Sequence, residues 1–71
     1  MNAPEWLAAY AEKLSLPAPT EEELKGILDL AAEAAHSSQR IAGPLAGWLA
    51  GRAGIGVEEA VRLAKEVSGD S

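Results

Sequence analysis

Thr20-Glu21-Glu22-Glu23-Leu24-Lys25-Gly26-Ile27-Leu28-Asp29-Leu30-Ala31-Ala32-Glu33-Ala34-Ala35-His36-Ser37-Ser38-Gln39 is the stretch that decides the fold. Thr20 followed by Glu23 three positions on is a capping box: each side chain satisfies a backbone N–H that the first helical turn leaves without a partner. The three glutamates also complement the positive end of the helix dipole. At about 100° per residue, Leu24, Ile27, Leu28, Ala31 and Ala35 form one apolar stripe, and Leu30 and Ala34 widen it on one side. Glu22, Lys25, Asp29, Glu33, His36 and Arg40 occupy the opposite face. So broad an apolar arc predicts a central helix, over residues 21–39, touched by more than one neighbour. A buried Leu28 would then cost about 2–5 kcal/mol on truncation to Ala.

The flanking sequence supplies those neighbours. Asn2 with Glu5 repeats the capping-box pattern, and Pro4 sits where first-turn N–H groups have no intrahelical acceptor. A first helix is predicted over 3–14, with Trp6, Leu7, Tyr10 and Leu14 on one side. Ser15-Leu16-Pro17-Ala18-Pro19 ends it, because each proline drives the preceding residue out of the helical region. Beyond the central helix, a third is predicted over 44–53, with Leu45, Trp48 and Leu49 as its apolar side. Gly54-Ile55-Gly56 stops it. A fourth is predicted over 57–67, with Val57, Ala60, Val61, Ala64 and Val67 as the buried stripe. Glu58–Arg62 and Arg62–Glu66 are spaced as supporting ion pairs along it. No segment alternates like a strand. The fold class is all-α, a compact bundle of four short helices forming one domain over residues 1–71.

Composition narrows the function. The chain has 71 residues, with 6 Lys+Arg against 11 Asp+Glu and a formal net charge of −5. Such an acidic surface is unsuited to holding nucleic acid by its phosphates. The absence of cysteine removes disulfide and thiolate chemistry and fits a reducing compartment. No apolar run approaches the ~18 residues of a membrane-spanning helix, and Met1-Asn2-Ala3-Pro4-Glu5 carries no basic lead into an apolar run. A cytoplasmic location is expected. Much of the 48% hydrophobic content is alanine, so a small core is expected, and a self-associating surface would help it.

Two features invite a chemical reading. His36, Arg40 and the segment leading through Gly43 to Leu45 place two basic side chains beside the start of the third helix, where free N–H groups favour an anion. The same residues also have a structural reading, with His36 and Arg40 bonding carbonyls in the turn. A lone histidine makes no zinc site, and no metal or cofactor is expected. Gly43, Gly47 and Gly51 recur every fourth residue and give the third helix one smooth side, next to Trp48. That side serves either tight packing within the domain or docking of a partner. The carboxylates are dispersed and no phosphate-cradling glycine loop is present, so no enzyme is expected. The Asp-Ser-Leu attachment site of acyl carrier proteins, which share an acidic four-helix outline, is also missing.

The run Leu28-Asp29-Leu30-Ala31, then Ala35-His36, Arg40, Gly43-Pro44-Leu45 and Leu49-Ala50-Gly51, with Trp6-Leu7 and a Leu-x-Leu-Pro linker upstream, resembles a family of short bacterial helical domains of unknown biochemical function. In that family the domain occurs alone or as a C-terminal extension of molybdenum-cofactor guanylyltransferase-like proteins. His36, Arg40 and Pro44 match the family pattern, whereas Gly43 and Gly47 replace the Ala and larger residue that are commoner there. The resemblance implies an accessory role near molybdenum cofactor biosynthesis. A non-catalytic interaction module is therefore expected, its partner a molybdenum cofactor nucleotidyltransferase or a second copy of the chain. The alternatives are a small-molecule module for a phosphorylated cofactor, held by His36, Arg40 and the start of the third helix, and a homodimeric structural domain.

Overall fold

The computed structural model describes residues 1–69, and among them the secondary structure is four helices with no strand. They are α1 (Ala3–Lys13), α2 (Glu21–Ser37), α3 (Ala42–Ala53) and α4 (Val57–Ser68). The all-α, four-helix reading stands.

Both capping boxes form. The Glu5 N–H donates to Asn2 Oδ1 at 2.9 Å while the Asn2 N–H donates to Glu5 Oε1 at 3.0 Å. Thr20 and Glu23 repeat the exchange at 3.1 and 2.8 Å. α1 ends in a left-handed residue that is not glycine, Ser15, with φ of 60°. The Leu16 N–H then reaches back to the Ala11 carbonyl at 2.9 Å and the Ser15 N–H to that of Glu12 at 3.0 Å, which closes the helix end. Gly54 and Gly69 take the same left-handed position after α3 and α4.

Two boundaries differ from the sequence expectation by two residues, each for a local reason, and the ends of α1 and α4 by one. α2 stops at Ser37, two residues early, where the Ser38 hydroxyl donates to the Ala34 carbonyl at 2.7 Å. Such side-chain bonds offer the backbone an alternative to continuing the helix. α3 starts at Ala42, two residues early, because the Ala42 and Gly43 N–H groups bond the Gln39 and Arg40 carbonyls of the preceding turn. Pro44 still lies in the first turn, where its missing N–H costs nothing.

α2 is the common partner of α3 and α4, and no other pair of helices has more than marginal backbone contact. Small residues set these approaches. A Cβ placed on Gly26 would lie 2.7 Å from Val57 Cγ2 and 2.8 Å from Val57 Cβ, so α4 enters where α2 has no side chain. Gly43 of α3 is buried against Ala31, whose Cβ and carbonyl oxygen would each be 3.4 Å from an added Cβ. At their far ends α2 and α4 are tied again: the Ser37 and Ser68 hydroxyls are 2.7 Å apart, with Ser68 also donating to the Ala64 carbonyl.

This arrangement turns α2 away from its expected orientation. Leu30 is the buried leucine, at 4% exposure, whereas Leu28 is 69% exposed. Two neighbours centre the buried arc on Leu30, Ala31 and Ala34, and Leu28 lies some 160–200° round the helix from Leu30. Val67, expected in the α4 stripe, is 90% exposed because α3 does not reach it. The expected Glu58–Arg62 pair is replaced by Glu59–Arg62 at 3.2 Å, alongside Arg62–Glu66 at 2.6 Å. These pairs are exposed and add little to stability.

Leu30→Ala is expected to lower unfolding stability by about 2–5 kcal/mol, as for a buried leucine, and Leu28→Ala by less than about 1 kcal/mol. Gly26→Ala is expected to destabilise by about 1–3 kcal/mol although alanine is the better helix former, since a stiff β-branched side chain blocks the new methyl. Urea unfolding followed by circular dichroism measures all three; a stabilised Gly26→Ala would show that α4 does not approach α2 there.

Candidate functional site

The apolar surface left over by this packing is extensive. Trp6, Tyr10, Leu14, Leu16, Leu45, Trp48 and Leu49 are all exposed, and no large side chain is completely buried among the described residues. Most of that surface lies on or next to α1 and α3, whose only buried residues are Ala11 and Gly43.

The glycine side of α3 divides in two. Gly43 is inside the domain, packed on Ala31, and is therefore not part of a free surface. Gly47 and Gly51 face open space, with nothing within 4 Å of an added Cβ. They form one wall of an apolar cavity of about 520 Å³ between α3 and α1. Leu7, Tyr10 and Leu14 of α1 make the opposite wall, and Ile27 of α2 contributes to the lining. Trp6 and Tyr10 stack beside it with ring centroids 5.1 Å apart. Next round α3, Trp48 is exposed and carries the Arg52 guanidinium 5.3 Å from its ring centroid. This contact holds the indole in place while leaving the other ring face uncovered by the cation. Of the four residues expected on the interaction surface, Gly47 and Gly51 share the cavity wall, Trp48 is exposed but does not line it, and Gly43 is separated from it.

The expected anion site is not assembled in the same way. His36 lies in the last turn of α2, on a shallow groove towards α4 lined also by Asp29, Glu33 and Lys65. Two carboxylates offset the two basic groups there. Arg40 stands exposed in the turn between α2 and α3, and neither it nor Gly43 or Leu45 lines that groove. The start of α3 has few donors to offer. Its first two N–H groups bond turn carbonyls at 2.9 and 3.2 Å, and the third residue is Pro44. The positive end of a helix attracts an anion chiefly through such N–H groups, and here they are occupied. No group of three or more histidine, aspartate or glutamate side chains is placed to hold a metal among the described residues. No helix among them is long and apolar enough to cross a membrane.

The sequence pattern across α1, α2 and α3 that resembled a family of small helical domains is matched over nearly the whole chain. A family model described as a domain of unknown function, DUF6457, covers residues 1–70. The chain belongs to the DUF6457 family. Neither a curated protein nor a solved structure matches it. Within this DUF6457 domain, the sequence pattern does not show that residues of α1 complete the cavity beside α3. Their spacing marked Leu7, Tyr10 and Leu14 as an apolar side, but that side does not close onto a neighbour.

Titration with millimolar inorganic phosphate is expected to leave the Ala42 and Gly43 amide resonances in place, because both N–H groups are already bonded. Joint, saturable shifts of His36, Arg40 and Gly43 would reinstate a phosphate site.

Proposed function

We propose that this DUF6457 domain is a non-catalytic interaction module that binds a protein partner through the apolar cavity between α1 and α3. The observation that carries the reading is the pair Gly47 and Gly51, exposing α3 backbone to a cavity walled by α1 aromatic and leucine side chains. Glycine in a helix interior costs about 0.8–1 kcal/mol relative to Ala. At Gly43 the close approach of Ala31 accounts for that cost; at Gly47 and Gly51 no neighbour within the domain does. A partner side chain or backbone approaching α3 would. Tyr10 in the cavity wall and Trp6 stacked beside it are the residue types that anchor packed interfaces.

The resemblance to extensions of molybdenum-cofactor guanylyltransferase-like proteins makes such a transferase the partner of choice, with this domain an accessory to cofactor biosynthesis in the cytoplasm. The dispersed carboxylates and the composition of the cavity support a binding role over a catalytic one: the lining is apolar apart from Glu23 and the Tyr10 hydroxyl, and general acid–base work needs paired groups held in a shaped cleft.

Gly47→Leu separates the two roles that the glycine spacing could have. An added side chain meets open space, so the melting temperature is expected to stay the same or rise, since leucine also favours the helix. Filling the cavity should abolish retention of a molybdenum cofactor guanylyltransferase on the immobilised domain. Failure of the wild-type domain to retain the transferase, or equal retention by Gly47→Leu, would overturn the proposal.

A further inference from the structure

The opposite flank of α3 carries a second unpartnered feature. α3 and α4 both lie on α2 but splay apart above it, and the space between them is a groove that is apolar in its centre and lined by Ser37, Ser38 and Ser68 at one end. Leu30 and Ala34 form its floor, Ala46 and Leu49 one wall, Leu63 and Val67 the other. Its two adjoining parts measure about 290 and 580 Å³. Small residues deep in the groove and exposed leucine and valine at its rim are what a helix-shaped ligand fits.

We infer that a second copy of this chain fills the groove, each copy seating the outer ridge of its α3 between α3 and α4 of the other about a two-fold axis. The ridge is already present beside the groove. Ile41, Leu45, Trp48 and Leu49 are exposed along the outer side of α3, and Leu49, at 60% exposure, belongs to both ridge and groove. A two-fold interface requires this self-complementarity, because each patch must meet itself.

The area supports the occupant. The chain exposes 5629 Å². A compact monomer of 7.4 kDa exposes about 4,200 Å². The excess of about 1,400 Å² exceeds the roughly 800 Å² that each partner buries in a stable standard-size interface.

Charge supports it too. Residues 37–57 contain no acidic residue and two arginines, Arg40 and Arg52, within a chain of net charge −5. α4, the wall of the groove, carries Glu58, Glu59 and Glu66 against Arg62 and Lys65, with Arg62 paired to Glu59 and Glu66. Bringing α3 of one copy to α4 of the other sets a segment with two arginines and no acid beside a helix with one more acid than base, so the overall like charge is not repeated at this contact. At ordinary ionic strength, more distant repulsion is screened beyond about 10 Å.

This inference is independent of the cavity on the α1 flank, and sedimentation of the full chain tests it. From micromolar to near-millimolar concentration, the wild type is expected to reach twice its 7.4 kDa mass. Leu49→Glu and Val67→Glu alter side chains that are 60% and 90% exposed in the single copy, so each should keep its helix content. Each is expected to lose the dimer, while Gly47→Leu keeps it. A second measurement avoids reliance on the charged variants. A spin label on Val67→Cys, unique because the chain has no other cysteine, should broaden the Leu45 and Trp48 amides of an isotope-labelled, unlabelled-spin copy mixed with it. A wild type that stays monomeric throughout overturns the inference, as does a dimer that survives both glutamate variants or shows no broadening. Retention of the transferase by a monomeric chain would leave the proposed function standing and remove only the dimer; a dimer that retains no transferase would do the reverse.

Discussion

Everything in this structure depends on how closely α3 and α4 can approach α2. At one end, Gly26 leaves a gap that Val57 fills; further along, Gly43 sits on Ala31. Close packing of backbones brings many weak dispersion contacts within range, and these add up although each is small. It also fixes the angle at which each helix leaves the central one. Because α3 and α4 are seated at different points and diverge, the space between them stays open.

The consequence is a domain organised around one helix and not around a closed core. Its buried apolar side chains are Ala11, Leu30 and Ala60 among the described residues, two of them alanines. Burial of apolar area is the main favourable term in folding, at roughly 25 cal/mol per Å². A chain of this size has little to spare against the entropy of ordering. The bulky residues that would usually supply the balance, Trp48, Leu49 and Leu45 above all, face outwards. They do little for the isolated fold, and the apolar surface they add lies beside the groove between α3 and α4.

The same economy separates the glycines by role. Gly26 and Gly43 are steric requirements of the fold, and Gly54 and Gly69 terminate helices in the left-handed region. Gly47 and Gly51 serve none of these purposes within the chain, and they open onto the cavity facing α1. By contrast, the basic residues near the α2–α3 turn are not gathered into one place. His36 faces α4 while Arg40 stands in the turn, so proximity in sequence did not become a shared groove.

The local elements were legible in the sequence because their causes are local. Asn2 with Glu5 and Thr20 with Glu23 bond across three residues, the prolines after Leu16 forbid helix, and Gly54 and Gly69 permit the turn that ends one. Periodicity likewise showed which stretches are helical and that α2 is central. It did not show which part of a broad apolar arc would be covered. Leu28 and Leu30 both border that arc, and only the directions from which α3 and α4 arrive bury Leu30 and leave Leu28 in solvent. The cavity and the groove on the two flanks of α3 belong to the same class. They are made by residues distant in the chain, Tyr10 with Gly47 and Leu49 with Val67, and their existence follows from helix positions that are set by steric fit at Gly26 and Gly43, a property of pairs of helices that no single helix carries.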